Sequence, residues 1–197
     1  NPRMARVSKM NMIMHGDGHG GVHHHDGLLN VNGIYENRFD VILTNPPFGA
    51  RVDKSSRVSN TDIPTDEQIV LCTKKYGTEY LSKVINPLKE WAEFDNGNKL
   101  PKGKSILDLY EMGSMSTLTE VLFIERCLNL LKAGGRMGIV LPEGILNNTN
   151  LQKVRDFVEG KAKIILITSI PQDVFIASGA TVKPSLLFLK KFSEQEV

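Results

Sequence analysis

Cysteine is scarce in this chain: its 197 residues include two, Cys72 and Cys127. They lie far apart and form no CxxC pair, which excludes a disulfide framework and a zinc knuckle, leaves two free thiols and fits a reducing cytoplasm. Long apolar runs are missing as well. None approaches the roughly 18 to 20 residues that a membrane-crossing helix needs, so no membrane partner is expected. The first residues, Asn-Pro-Arg-Met-Ala-Arg, lack the apolar core of a signal peptide, and the start at Asn1 rather than Met reads as a piece of a longer protein. Nor does one charge sign dominate. With 24 Lys and Arg against 22 Asp and Glu, the formal net charge is +2, so any nucleic-acid partner must be argued from local residues.

What is present is ordinary globular composition, 41% hydrophobic and 23% charged, enough for one domain with or without a small appendage. Met4, Val7, Met10 and Met14 recur at near-helical spacing behind Pro2, which predicts a helix from Pro2 to His15 ended by Gly16-Asp17-Gly18. Val22 to Leu29, interrupted by His23-His24-His25-Asp26, reads as a short strand. Phe39 to Thr44 is an apolar, β-branched run closed by Asn45-Pro46-Pro47, the profile of a buried strand entering a loop. Arg51 to Ser116 is polar and reads as a long insertion, with amphipathic stretches at Thr65 to Lys75 and Glu79 to Phe94.

Thr119 to Lys132 follows as a helix buried on more than one face, with Gly134-Gly135 as its stop. A strand at Arg136 to Leu141, broken by Pro142-Glu143-Gly144, a helix at Asn150 to Gly160, and strands at Ala162 to Ser169 and Ser185 to Lys190 complete the chain. Alternating buried strands and helices predict an α/β doubly wound fold, a mostly parallel sheet covered on both faces.

The strongest local signal is Asn45-Pro46-Pro47-Phe48 at the carboxyl end of a predicted strand, where open α/β sheets bind ligands. Two prolines lock φ and lack amide donors, so they make a rigid loop rich in acceptors. A planar amine donating two hydrogens can be held between the Asn45 side-chain oxygen and the Pro46 carbonyl, with Phe48 offering a π face to a flat ring. The alternative left open is that Asn-Pro-Pro ends a strand and Phe48 plugs the core. The triplet His23-His24-His25, with His15 and His19 nearby, carries no metal-ligand spacing: consecutive strand residues point to opposite faces and no Cys or ordered carboxylate accompanies them. Arg51, Lys54 and Arg57 follow the loop and suit phosphates flanking a bound base, or else form a solvated charged loop. The same two readings apply to Lys74-Lys75 and to the cluster from Lys99 to Lys104.

Asp40-Val41-Ile42-Leu43-Thr44-Asn45-Pro46-Pro47-Phe48-Gly49 resembles motif IV of amino-group DNA methyltransferases, and the Phe and following Gly are most similar to the modification (M) subunit of type I restriction-modification systems. The resemblance extends to Asn1-Pro2 with Lys9-Met10-Asn11-Met12 and His15-Gly16. It continues through Glu125-Arg126, Leu130-Leu131-Lys132, Gly134-Gly135-Arg136 and Leu141-Pro142-Glu143-Gly144-Ile145-Leu146. It closes with Gly179-Ala180-Thr181 and Leu186-Leu187-Phe188-Leu189-Lys190-Lys191, leaving out about 51–116.

The resemblance implies a Rossmann-like fold using S-adenosylmethionine, with Asn45, Pro46, Pro47 and Phe48 catalytic. Asp26, followed by Gly27 and Leu28, matches the place where the family receives the amino group of the cofactor's adenine; a solvated loop aspartate is the other reading. DNA is the implied substrate, and the specificity (S) and restriction (R) subunits are the implied partners. A methyltransferase for RNA or protein glutamine, or a non-catalytic subunit-contact module, is the alternative. Leu71 before Cys72 and Arg126 before Cys127 differ from the Pro-Cys of cytosine ring-carbon enzymes, which argues against covalent catalysis.

The family's Asp/Asn-Pro-x-x-Gly-x-Gly loop and its ribose-binding acid do not occur in these 197 residues. The fold is therefore expected to be incomplete, its first two strands lying upstream. The sheet is expected to have a gap between the strand near Asp26 and the strand ending at Asn45, and cofactor binding by this chain alone is expected to be weak.

Overall fold

The computed structural model describes residues 1–18, 20–95, 97, 102–178 and 182–196. Helix α1 (Pro2–Met14) forms where the methionine spacing predicts it. The Asn1 side chain accepts the Arg3 amide at 3.0 Å, and Pro2 occupies the first turn, where an amide has no helical partner anyway. None of its residues is buried, and Met4, Val7, Met10 and Ile13 face solvent. The strand expected at Val22 to Leu29 does not form; this stretch is a loop, whose backbone finds side-chain partners instead of a neighbouring strand.

Strand β1 (Phe39–Thr44) forms as expected, but Val41 and Leu43 are exposed, so it is not a buried strand. Helix α4 (Thr119–Leu130) leads into β2 (Leu131–Pro142), and β3 (Ala162–Ser169) and β4 (Pro184–Lys191) complete a sheet ordered β1-β2-β4-β3. β1 and β2 are parallel, whereas β4 runs antiparallel to both β2 and β3. Three strands thus point one way and one the other. β1 forms an edge of this sheet, so the gap expected beside it does not open. Gly134 and Gly135 do not stop the helix: they lie inside β2, where the pairing slips from Phe39↔Leu131 to Val41↔Arg136. Three extra β2 residues bulge out there, and Gly134 turns at φ 76°, a conformation open mainly to glycine.

Strand alternation sorts the sheet's side chains by face. Ile42, Met137, Leu189 and Ile164 lie in register on one face, with Ile139, Leu187 and Ile167 beside them. Helices α4, α5 (Glu143–Asn147) and α6 (Gln152–Glu159) cover that face over β2 and β4, whereas Ile164 and Ile167 of the edge strand β3 stay exposed. On the opposite face Leu43, Gly138, Phe188 and Leu166 form the matching row, and Leu43 and Leu166 are exposed. Among the described residues, cover is therefore observed on one face and not on both.

The polar stretch 51–116 builds part of the core. Helix α2 (Asp66–Tyr76) starts at a reciprocal cap between Thr65 and Gln68, with Asp66 and Glu67 in its first turn and Lys74 and Lys75 in its last, as the helix dipole favours. A π-turn, Leu81–Ile85, runs into α3 (Asn86–Glu93). Val58, Tyr80, Val84 and Leu88 are fully buried in the cluster that also holds Val121 and Leu122 of α4. Each such side chain contributes about 1.5–3 kcal/mol on burial, so a few inward residues suffice to fold a stretch that is polar on average. Among the described residues no helix is long and apolar enough to cross a membrane.

Candidate active site

Asn45 follows the last residue of β1, at the carboxyl edge where parallel strands present their loops. Its side chain is exposed and makes no hydrogen bond among the described residues. Pro46 is buried and Pro47 exposed, so the prolines fix the loop without tying up acceptors. Phe48 is half-buried and stands edge-to-face against Phe175, with ring centroids 6.3 Å apart and an interplanar angle of 85°. Phe175 lies in the 3-10 stretch Gln172–Ser178 that follows β3.

Immediately beyond Phe48 the chain is fastened to the start of α4. The Gly49 amide donates to Glu120 Oε1 at 3.1 Å, and the Thr119 amide donates to the Ala50 carbonyl at 2.9 Å. Glu120 is 3% exposed, and its second oxygen, Oε2, is buried without a hydrogen-bond partner. A carboxylate in the first turn also complements the helix dipole.

The Asp26-Gly27-Leu28 loop is held by the same helix, further along. Asp26 Oδ1 accepts the Leu28 amide at 2.9 Å and fixes a tight turn, which leaves its second oxygen free in solvent. Arg126 of α4, 4% exposed, donates from Nε to the Gly27 carbonyl at 3.3 Å, from Nη2 to the Leu29 carbonyl at 2.8 Å and from Nη1 to Asn30 Oδ1 at 2.6 Å. The Tyr110 hydroxyl donates to the Leu28 carbonyl, and burial raises that phenol's pKa, so it remains a donor. Glu125 accepts the amides of Glu111 and Met112 at 2.9 and 2.8 Å. The two candidate loops share α4 as their support but are fastened to it at separate points. Glu120 and Arg126 are six residues apart, about 9 Å along the axis and on different sides of the helix.

Residue type singled out Asn45 to Phe48 in advance, and the family resemblance pointed to Asp26. Glu120, Arg126, Tyr110 and Phe175 escaped. The available signal was the charged pair Glu125-Arg126 inside an otherwise apolar helix, since buried charges need partners. An acid in a first turn is ordinary, and Phe175 gives no signal at all.

The histidines have hydrogen-bonding roles. His23 Nδ1 accepts from Asn32 Nδ2 at 2.8 Å, and His25 Nε2 donates to the Asp62 carbonyl at 3.1 Å. Among the described residues no three His, Cys, Asp or Glu side chains gather as a metal site. Both cysteines are free; burial pushes the Cys127 thiol up to about 11, and Cys72 donates to Asn32 Oδ1 at 3.3 Å. Arg51, Lys54 and Arg57 converge on one cleft, whereas Lys75 lies over the Tyr76 ring at 5.1 Å. His19, Gly179-Ala180-Thr181 and the 98–101 part of the lysine cluster fall outside the described residues.

The profile of the N-6 DNA Methylase family matches residues 1–93 and 98–196. No curated protein matches the sequence. The M protein of the type I restriction enzyme EcoKI shares the fold at 18% identity and TM-score 0.54, over 100% of this chain and 30% of that one. A chain from a type I R-M system structure does so at 22% identity and TM-score 0.55, over 93% and 27%. So does a Listeria monocytogenes protein assigned to the class I S-adenosylmethionine-dependent methyltransferases, at 17% identity and TM-score 0.50, over 86% and 36%. The chain therefore spans between 27% and 36% of the length of these structures. Its fold is the Rossmann-like fold of S-adenosylmethionine-dependent methyltransferases, and with a family profile matched across nearly all of its residues the chain belongs to the N-6 DNA methylase family.

Proposed function

We propose that this chain forms part of the catalytic domain of a DNA adenine amino-group methyltransferase, the modification subunit of a type I restriction-modification system. The observation that carries the reading is the Asn45 side chain, exposed and unengaged at the end of β1, next to an aromatic ring and on a loop pinned behind by Glu120.

An adenine inside a duplex cannot present its amino group to a buried site, so it must be extruded. Phe48 stacks on the extruded ring. Asn45 Oδ1 and the Pro46 carbonyl accept the two amino hydrogens, which turns the nitrogen lone pair out of conjugation and toward the electrophile. The nitrogen sheds one proton to water as its new bond to carbon forms. S-adenosylmethionine, when bound, supplies that carbon as a methyl group on a positively charged sulfur that leaves as a neutral thioether. Asp26, Gly27 and Leu28 are the residues of this chain that would hold its adenine: the free Asp26 oxygen is an acceptor suited to an amino group, and Arg126 fixes the loop carrying it. Neither thiol takes part, since Cys127 is buried with a raised pKa and Cys72 is engaged with Asn32. In the assembled system the S subunit would read the DNA sequence and the R subunit would cut.

The test is transfer of a labelled methyl group by the complete enzyme with its S subunit. The expected product is N6-methyladenine in DNA, formed about 10²–10³-fold more slowly by Asn45→Ala. Label appearing instead in RNA or in protein glutamine, or no transfer by folded enzyme, overturns the reading.

A further inference from the structure

The chain leaving the Asn45–Phe48 loop runs into the lining of a cleft that the proposed chemistry does not use. Residues 51–57 form one wall of a cleft of about 580 Å³, and residues 105–108 and 113–117 form the other. Arg51, Lys54 and Arg57 line it against a single carboxylate, Asp108. The remaining lining includes Ser116 and Thr117, whose hydroxyls accept from Leu118 and Arg51 and keep a hydrogen to donate to an anion, whereas the Ser114 hydroxyl donates to the Glu111 carbonyl at 2.9 Å.

The cations are held in place by the fold. Arg51 bridges its backbone to Leu118 and donates from Nη1 to Thr117 Oγ1 at 3.1 Å. Arg57 bridges its backbone to Ser105, and its Nε is buried without a hydrogen-bond partner. Between them a turn closed by Asp53 and Ser55 presents Lys54, which is exposed and makes no hydrogen bond among the described residues. The far wall is tight: a Cβ at Gly113 would sit 2.0 Å from the Leu107 carbonyl oxygen, so only glycine lets the two segments close there.

Arg57 Nε is shut off from solvent, so Arg57 adds its positive charge to the cleft without offering that N–H to an anion in it. The cleft is much larger than one phosphate, and its size suits a stretch of backbone rather than a free ion. Arg51 is three residues from Phe48, at most about 11 Å along an extended chain, within the neighbourhood of the base that Phe48 would stack. Resting on the function proposed above, we propose that this cleft grips the phosphodiester backbone of the strand carrying the target adenine, at the phosphates flanking the extruded nucleotide. Phosphate contacts of this kind set register and leave sequence to other elements, as suits a subunit whose specificity comes from a partner.

The experiment measures duplex affinity of the complete enzyme against salt, for the parent and for Lys54→Gln, Arg57→Gln and the triple Arg51→Gln/Lys54→Gln/Arg57→Gln variant. Each neutralised contact should lower the slope of log K against log salt by about 0.9. Target-strand methylphosphonates, which remove one phosphate charge at a time, should weaken the parent next to the target adenine and have no further effect in the triple variant. Lys54 is exposed and makes no hydrogen bond among the described residues, so its variant answers even if Arg57→Gln is unstable. Unchanged slopes, or methylphosphonate penalties equal in parent and triple variant, overturn the cleft. Binding is read without methyl transfer, so an enzyme that binds DNA with the expected slopes but methylates no adenine overturns the proposed function and leaves the cleft standing.

Discussion

The two loops suspended from α4 are built on opposite principles. Gly27 to Asn30 is held by three hydrogen bonds from one buried guanidinium and a fourth from a buried phenol. Asn45 to Phe48 has no such bolt among the described residues: its nearest fastening is one amide at Gly49, and the acceptors to which we assign the chemistry are left open. Free acceptors are what a loop that must take hold of an amine requires, since any internal partner would have to be displaced first. Stability is thus invested beside the Asp26 turn, and hydrogen-bond acceptors are left exposed beside Phe48.

The largest expected effect breaks the first loop. Arg126→Met keeps much of the volume but removes every donor, leaving the Gly27 and Leu29 carbonyls and Asn30 Oδ1 without their partner. Each buried acceptor left unsatisfied costs about 1–3 kcal/mol, to be read as a lower urea midpoint, with methyl transfer falling further than the folded fraction because the Asp26 loop loses its support. A loss under about 1 kcal/mol would show that Tyr110 alone holds the loop and would erase the contrast.

Asn45→Ala should do the reverse. Removing one group that stabilises a transition state lowers turnover by about 10²–10³-fold, while the urea midpoint and DNA affinity stay close to parental. Turnover at the parental rate in folded enzyme removes Asn45 from the mechanism. Phe48→Ala comes next, because stacking on a base is worth about 1–3 kcal/mol. A fluorescent base analogue at the target site should report weaker extrusion in this variant, with Phe48→Tyr retaining most of it. If Phe48 only packs against Phe175, the urea midpoint falls and extrusion by the folded fraction is unchanged.

The same contrast explains how much was legible in the sequence. β1, β3, β4 and α1 were readable because their order comes from local pattern: apolar, β-branched runs, or methionines spaced by three and four. The place of Asn45 to Phe48 at the end of a strand was readable because the β-branched run Phe39 to Thr44 is closed there by two prolines. The stretch Val22 to Leu29 was misread as a strand because its order is imported from Arg126, nearly a hundred residues away. Gly134-Gly135 looked like a helix stop because two glycines serve a bulge and a cap equally well. The cover of the sheet was overestimated because alternation alone does not say whether a helix lies on each face. Within 51–116, Val58, Tyr80, Val84 and Leu88 were hidden by polar neighbours, since average composition says nothing about which side chains point inward.

The smallest effect concerns pH and tests the first loop at its ends, where His23 and Asn32 join across it. His23 Nδ1 must be unprotonated to accept from Asn32. Burial first, then the positive charges of Lys75 and Lys9, hold its pKa below the ordinary 6.5. The unfolded chain therefore binds the proton more readily than the folded one, and stability rises with pH across the interval between the folded value and 6.5. Read downward, stability begins to fall as pH drops below about 6.5 and the whole contribution is gone once pH is below the folded value. His23→Gln offers a carbonyl acceptor that does not titrate, so its urea midpoint should be flatter than the parent's between pH 7 and pH 5, with the Asn45 loop unaffected throughout. The difference should be small, because the ring is only partly shielded from solvent. Parallel pH profiles for parent and His23→Gln would mean that the His23–Asn32 contact does not restrain the loop, leaving Arg126 and Tyr110 as its sole fastenings.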